Sequence, residues 1–130
     1  MKPNLTTASK SLNILEELKK REPIFHRPEF GTTRKDFERM TEDNYWKVGA
    51  SGKRYSRGYI LDVLEERFKK PHEDKWKTKD FYCLELAKDI YLLTYTLIQG
   101  ERVTRRATIW RKHGSDWKIV YHQGTITKDV

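Results

Sequence analysis

The chain has a single cysteine, Cys83, among its 130 residues. One thiol closes no internal disulfide, so no disulfide framework and no oxidising compartment are implied. No apolar run approaches the ~20 residues of a membrane-spanning helix. Met1 to Lys10 lacks the apolar core of a secretory signal. These absences set the expectation of a cytoplasmic protein with no membrane partner. Gly-rich phosphate loops, nucleophile elbows and P-loops are also missing. His26, His72, His113 and His122 show no ligand-like spacing and there is no cysteine pair, so neither metal nor cofactor is expected. Repeats, low-complexity tracts and internal linkers are absent too.

What is present is charge. Lys and Arg number 27 against 19 Asp and Glu, a net charge of +8. The bases are scattered among acids and form no helical stripe, so they read as a solvated surface and nucleic acid is disfavoured as a partner. Apolar residues make up only 36%. The five Phe, four Trp and seven Tyr must therefore supply much of the core, each burying roughly 150–250 Å². The length suits one domain, expected over residues 9–127 with a frayed segment at 1–8.

Leu12, Ile14, Leu15 and Leu18 recur at helical spacing and predict an amphipathic helix over Ser9 to Arg21. Pro23 and Pro28 end it. Thr33 followed by Asp36 predicts the capped start of a short second helix with Phe37 and Met40 inward. A short strand is expected over Asn44 to Gly49, then a turn at Ala50 to Lys53. Ser56 caps a third helix with Ile60, Leu61, Leu64 and Phe68 on one face, while Asp62, Glu65 and Glu66 fall on its wet side. Pro71 stops it. Strands follow at Trp76 to Leu86, Ile90 to Gln99, Val103 to Lys112 and Trp117 to Ile126, the last two joined around Gly114-Ser115-Asp116. Helices first and strands after predict an α+β fold: a curved antiparallel sheet with three N-terminal helices on its concave face.

The ordered segments Tyr45-Trp46-Lys47-Val48-Gly49-Ala50-Ser51-Gly52, Tyr55-Ser56-Arg57, Thr94-Tyr95-Thr96-Leu97, Thr108-Ile109-Trp110-Arg111 and Trp117-Lys118-Ile119-Val120-Tyr121-His122 carry a resemblance. The chain resembles the nuclear transport factor 2-like superfamily, and more narrowly its SnoaL-like branch, domain of unknown function 4440. The resemblance implies a cone-shaped, cystatin-like roll, a pocket between sheet and helices, and often a homodimer through the sheet. It implies no reaction, because isomerases, dehydratases, cyclases and adaptors share this fold and function lies in the site. Kinase association domains of this fold place pocket arginines at the positions matching Thr108 and Gly124. Those arginines are absent here, so their ligand does not transfer.

Period two divides each strand into two faces. Thr104, Arg106, Thr108 and Trp110 share one face of the penultimate strand. A three-residue hairpin loop sets Thr108 opposite His122 and Trp110 opposite Val120; a slip of one residue flips the face. The parity of the kinase association arginines selects the Arg106, Trp110 and His122 face as concave. By the same parity Tyr95 and Leu97 point inward.

The strongest chemical pair is Arg106 with His122: a rigid fork for an anion beside a group that moves protons near neutrality. The alternative is an exposed sheet arginine beside a structural histidine. Tyr95, Trp110 and Trp46 form either an aromatic wall for a ligand or ordinary core. His26 and Glu29, in a proline-stiffened loop, form either an acid–base pair at the pocket mouth or a solvated connection. Cys83 reads as a buried, inert thiol. No inward Asp can be placed on a strand, which disfavours isomerisation by an Asp base with a Tyr/Asp oxyanion pair. The expected catalytic residues are His122, His26 and Tyr95. The expected ligand-binding residues are Arg106, Trp110, Trp46, Thr108, Glu29 and Leu97. The ligand expected is an anionic small molecule with an apolar or aromatic part, bound or turned over by proton transfer, hydration or hydrolysis. The alternative is a non-catalytic protein–protein interaction or dimerisation module.

Overall fold

A computed structural model of the chain describes residues 1–70 and 75–129. Pro71, the expected helix stop, and His72 lie outside them. Helices α1 (Leu12–Lys19), α2 (Arg34–Met40) and α3 (Arg57–Arg67) accompany six strands: β1 (Thr41–Val48), β2 (Arg54–Ser56), β3 (Lys77–Ala87), β4 (Ile90–Gln99), β5 (Arg102–His113) and β6 (Asp116–Ile126). The strands form one sheet in the order β2-β1-β6-β5-β4-β3. The α+β class holds. The sheet is mixed rather than wholly antiparallel, because β1 runs parallel to β6.

Local chemistry starts the helices where expected. Thr33 accepts from the Asp36 N–H, and the Asp36 carboxylate accepts from the Thr33 N–H, a reciprocal capping box. Those bonds to its charged form hold the Asp36 carboxyl down to about 2. Ser56 Oγ accepts from the Tyr59 N–H to open α3. The first helix is shorter than its periodicity predicts: Ser9–Ser11 is a single 3-10 turn and α1 closes at Lys19. Residues 1–8 have no regular structure, yet Thr7 Oγ1 accepts from the Cys83 N–H at 3.1 Å.

The core lies between helices and sheet. Leu18, Phe37, Met40, Ile60, Leu61 and Leu64 meet Tyr45, Leu93, Tyr95, Leu97, Trp110, Trp117 and Ile119, all buried. Trp117 also ties α1 to the sheet, its Nε1 donating to Glu17 Oε1 at 2.9 Å. Burial of this kind stabilises by about 25 cal/mol per Å² of apolar surface. Cys83 is 1% exposed, and burial pushes its thiol up to about 11, so it is an inert core group.

The β5–β6 hairpin holds the detail that sets the site. His113 pairs with Asp116, so the turn has two residues, Gly114 and Ser115, and not three. Gly114 takes φ 62°, which a tight hairpin turn needs and which glycine adopts without steric cost. Such a turn alone would flip His122 to the outer face. A bulge between Ile109 and Trp110 inserts Val120 as an extra residue and restores the register. Thr108 therefore pairs with His122, as expected, but Trp110 pairs with Ile119 rather than Val120. The bulge also puts Trp117 and Ile119 on the core side along with His122, although strict alternation separates them.

Candidate functional site

A cavity of about 560 Å³ opens between the sheet and the helices, within the range of small-molecule sites. Glu22, Tyr45, Tyr95, Arg106 and His122 line it, together with Lys47, Arg67 and Arg102. Apolar walls come from Ile24, Phe25, Ile60 and Leu64.

Glu22 arrives from the segment after α1. Leu18 C=O accepts the Arg21 and Glu22 N–H groups at 3.0 and 3.1 Å, and Arg27 Nε donates to the Glu22 C=O at 3.0 Å. The tied backbone delivers the carboxylate inward, where the residue is 2% exposed. Tyr95 Oη donates to Glu22 Oε2 at 2.6 Å and Thr108 Oγ1 donates to the same oxygen at 3.1 Å. Burial raises the Glu22 pKa, and it outweighs the two hydroxyls and the Arg106 charge, which favour the anion.

The network continues through His122. Its Nδ1 lies 2.8 Å from Thr108 Oγ1 and its Nε2 lies 3.4 Å from Arg106 Nη1. The Thr108 hydroxyl has one proton and gives it to Glu22, so Nδ1–H donates to Thr108 and Nε2 accepts from Arg106. That assignment provides every contact with a donor and an acceptor and leaves His122 neutral. The electrostatics agree: burial, then the Arg106 and Lys47 charges, hold the His122 pKa well below its usual range. Arg106 Nε donates to Thr104 Oγ1 at 3.0 Å. Its guanidinium lies over Gly124, where a Cβ would stand 3.6 Å from Nε. Tyr95 stacks on Phe81, ring centroids 5.0 Å apart. The Tyr45 hydroxyl, in a residue 2% exposed, makes no hydrogen bond among the described residues and faces the cavity. Burial and the nearby Glu22 charge raise its pKa, so it is a donor.

Of the residues expected from sequence, His122, His26, Tyr95 and Arg106 come together at the cavity. Thr108 is fully buried behind it and bridges Glu22 to His122. Three others stand elsewhere. Trp110 packs edge-on against Trp117 at 6.4 Å in the core, and Leu97 is 0% exposed in the same core. Trp46 is 43% exposed on the opposite face of the sheet, against Tyr121, because Tyr45 and Lys47 take the inward parity of β1. Glu29 is exposed, pairs with Arg27 at 3.6 Å and does not join His26 in the cavity. Sequence reasoning missed Glu22, Tyr45, Lys47, Arg67 and Arg102. The available signal for Glu22 was a carboxylate set directly before Pro23-Ile24-Phe25, a poor place for a solvated acid.

Among the described residues no three His, Cys, Asp or Glu side chains come together as a metal site, and no helix is long and apolar enough to cross a membrane.

No family model matches the chain, and no curated protein matches it in sequence. Solved structures do. A nuclear transport factor 2-like protein from Cytophaga hutchinsonii superposes with TM-score 0.69 at 10% identity, covering 93% of this chain and 100% of that one. The chain has the nuclear transport factor 2-like fold. A candidate ketosteroid isomerase from Parabacteroides distasonis matches with TM-score 0.67 and 15% identity over 97% of both chains. A candidate dehydratase from Streptomyces avermitilis, of the nuclear transport factor 2-like family, matches with TM-score 0.69 and 13% identity over 88% of this chain and 96% of that one. At these identities the likeness establishes the fold, and the chemistry must come from the site.

Proposed function

We propose that the protein binds an anionic small molecule with an apolar or aromatic body in this cavity and carries out cofactor-free proton transfer, hydration or hydrolysis on it. The observation behind this reading is Glu22: among the described residues, the one buried carboxylate, of raised proton affinity and set among cavity-lining cations. Such a group, its proton affinity raised by burial, is suited to taking and returning a proton. Arg106 holds the anionic group, Tyr45 donates to a ligand oxygen, and Tyr95 and Thr108 orient Glu22. Neutral His122 is a positioning residue between Thr108 and Arg106, and His26 contributes to the cavity wall. The candidate isomerase and candidate dehydratase among like-folded proteins are compatible with an enzyme. We also assign the chain, as one domain over residues 9–127, to the SnoaL-like branch, acting in the cytoplasm. A homodimer through the outer sheet face is supported by the exposed Trp46 beside Tyr121.

The test is calorimetric titration with 1-naphthoate and its neutral analogue 1-naphthol. The carboxylate binds at least about tenfold tighter, and Arg106→Ala removes that preference. A preference unchanged in Arg106→Ala takes Arg106 out of the site. Repeating the titration in buffers of different ionisation enthalpy reads proton uptake, because an anion beside Glu22 raises its proton affinity further. Uptake is expected in the wild type and absent in Glu22→Gln. Equal uptake in both would show that Glu22 is not the proton-exchanging group.

A further inference from the structure

Elsewhere on this protein several arginines have acidic partners. Arg34 pairs with Asp62 and Glu65, Arg39 with Asp36, Arg105 with Asp80, and Arg111 with Glu42. The cavity is different. Lys47, Arg67, Arg102 and Arg106 all line it, and among the described residues Glu22 is the only acid that does and none of the four cations has a carboxylate oxygen within 4.0 Å. Gathering four such cations in one cavity carries an electrostatic cost that a bound anion would relieve. In its anionic form Glu22 balances one positive charge, and its field reaches Arg106. Three remain.

Their placement is graded. Lys47 lies beside His122 in the β1–β6 register. Arg102 opens β5 and is exposed; Arg67 closes α3 and is half-buried. Arg102 and Arg106 share one strand face four residues apart, about 13 Å. The positive charge therefore extends well beyond the reach of one carboxylate seated on Arg106. Tyr55 and Tyr59 stack at 5.2 Å and give the cavity an aromatic wall, with Lys47 Nζ 5.7 Å from the Tyr55 ring centre.

We infer that the mouth of the cavity is a dianion site, in which Lys47, Arg67 and Arg102 hold the phosphate of a phosphate monoester whose apolar or aromatic body lies against Tyr55 and Tyr59. The inference rests on the reading of the cavity as a ligand site and adds to its ligand a second anionic group, a phosphate, beyond the one seated on Arg106. Arginine forks and a lysine point charge are suited to phosphate oxygens. A phosphate monoester carries close to two charges above its second pKa of about 6. Lys47 is itself pulled down, by burial first and then by the charges of Arg106, Arg67 and Arg102, which places these cations within one another's fields.

The experiment compares 1-naphthyl phosphate with 1-naphthyl sulfate at pH 8 by calorimetry. The two have closely similar shapes and differ by one charge, and 1-naphthoate and inorganic phosphate serve as further probes. The wild type binds the phosphate ester about tenfold or more tightly than the sulfate. Arg67→Met with Arg102→Met brings that ratio to about one; Arg102→Met alone, at an exposed position, lowers it part-way and guards against a folding defect in the double variant. Equal affinity for ester and sulfate, while 1-naphthoate still binds, overturns the dianion site and leaves the ligand pocket standing. Failure of all the naphthyl anions overturns both. Inorganic phosphate binding as tightly as the ester assigns the charges to the free ion and overturns the ester.

Discussion

Replacing Glu22 with Gln is the most informative perturbation of this protein, because it alters a proton equilibrium while keeping the shape of the site. The amide oxygen can still accept from Tyr95 and Thr108, which now donate at 2.6 and 3.1 Å. Hydrogen bonds to a neutral acceptor contribute about 0.5–1.5 kcal/mol each against roughly 1.5–3 for a charged one. That loss is offset by removing a charge from a site where burial is the largest influence on it. The sign of the pH dependence follows from the raised pKa. Between the ordinary value of 4.5 and the raised native value, the folded protein holds a proton that the unfolded chain has released. Stability from Glu22 is complete below 4.5 and is lost as pH rises through the native value, by up to about 1.4 kcal/mol per pH unit. His122 works in the opposite direction. Its native pKa is depressed below 6.5, so its stability is complete above 6.5 and is lost as pH falls toward the native value, with the same limiting slope of about 1.4 kcal/mol per pH unit. Where the two windows overlap the wild-type profile is flat. Urea unfolding at fixed ionic strength from pH 5 to 8 separates them. Glu22→Gln exposes the His122 slope and destabilises on acidification. His122→Asn exposes the Glu22 slope and destabilises on alkalinisation. Glu22→Ala, which leaves two hydroxyls without their acceptor, costs about 1–3 kcal/mol for each. Parallel profiles for the wild type and Glu22→Gln would refute the raised proton affinity on which the site rests.

Other outcomes follow from single contacts. Thr33→Ala removes the capping box of α2 and costs about 1 kcal/mol in chemical denaturation, within the usual 0.5–2 for an N-cap. Trp110→Phe is cheaper than Trp117→Phe by about 1 kcal/mol: the buried Trp110 Nε1 has no hydrogen-bond partner among the described residues, whereas Trp117 Nε1 donates to Glu17, and an unpaired buried donor carries a penalty of about 1–3 kcal/mol. Trp46→Ala, on the outer face, leaves the dissociation constant of 1-naphthoate within about twofold by calorimetry; a tenfold loss would place the ligand on the wrong side of the sheet.

Much of the fold was legible because its signals are local. Thr33, Asp36 and Ser56 start helices by their own side-chain geometry, and Ile60, Leu61 and Leu64 declare a buried helical face by spacing alone. The pairing of Thr108 with His122 was also anticipated, through a three-residue turn that does not exist. The real two-residue turn and the bulge at Val120 shift the register in opposite senses and cancel at that point. They do not cancel on the turn side of the bulge, where Trp110 pairs with Ile119 instead of Val120. A bulge has no sequence signature as strong as a turn, so the error there was unavoidable from period two. Trp46 misled for a related reason. In a half-buried strand the larger aromatic reads as the inward residue, but β1 turns its Tyr and Lys toward a polar cavity and its Trp outward. Glu22 was hard to single out because it belongs to no periodic element: beyond its place before Pro23-Ile24-Phe25, its importance comes from Tyr95 and Thr108, 73 and 86 residues away in the chain.

The most direct test of the central claim is a two-dimensional NMR titration of the labelled protein with 1-naphthoate, following the His122 ring, the Arg106 Nε–H and the Trp46 indole N–H. The account predicts that the His122 and Arg106 signals move together and saturate with one dissociation constant while Trp46 stays in place. Shifts confined to Trp46 and its neighbour Tyr121, with His122 and Arg106 unmoved, would contradict it and assign binding to the outer face of the sheet.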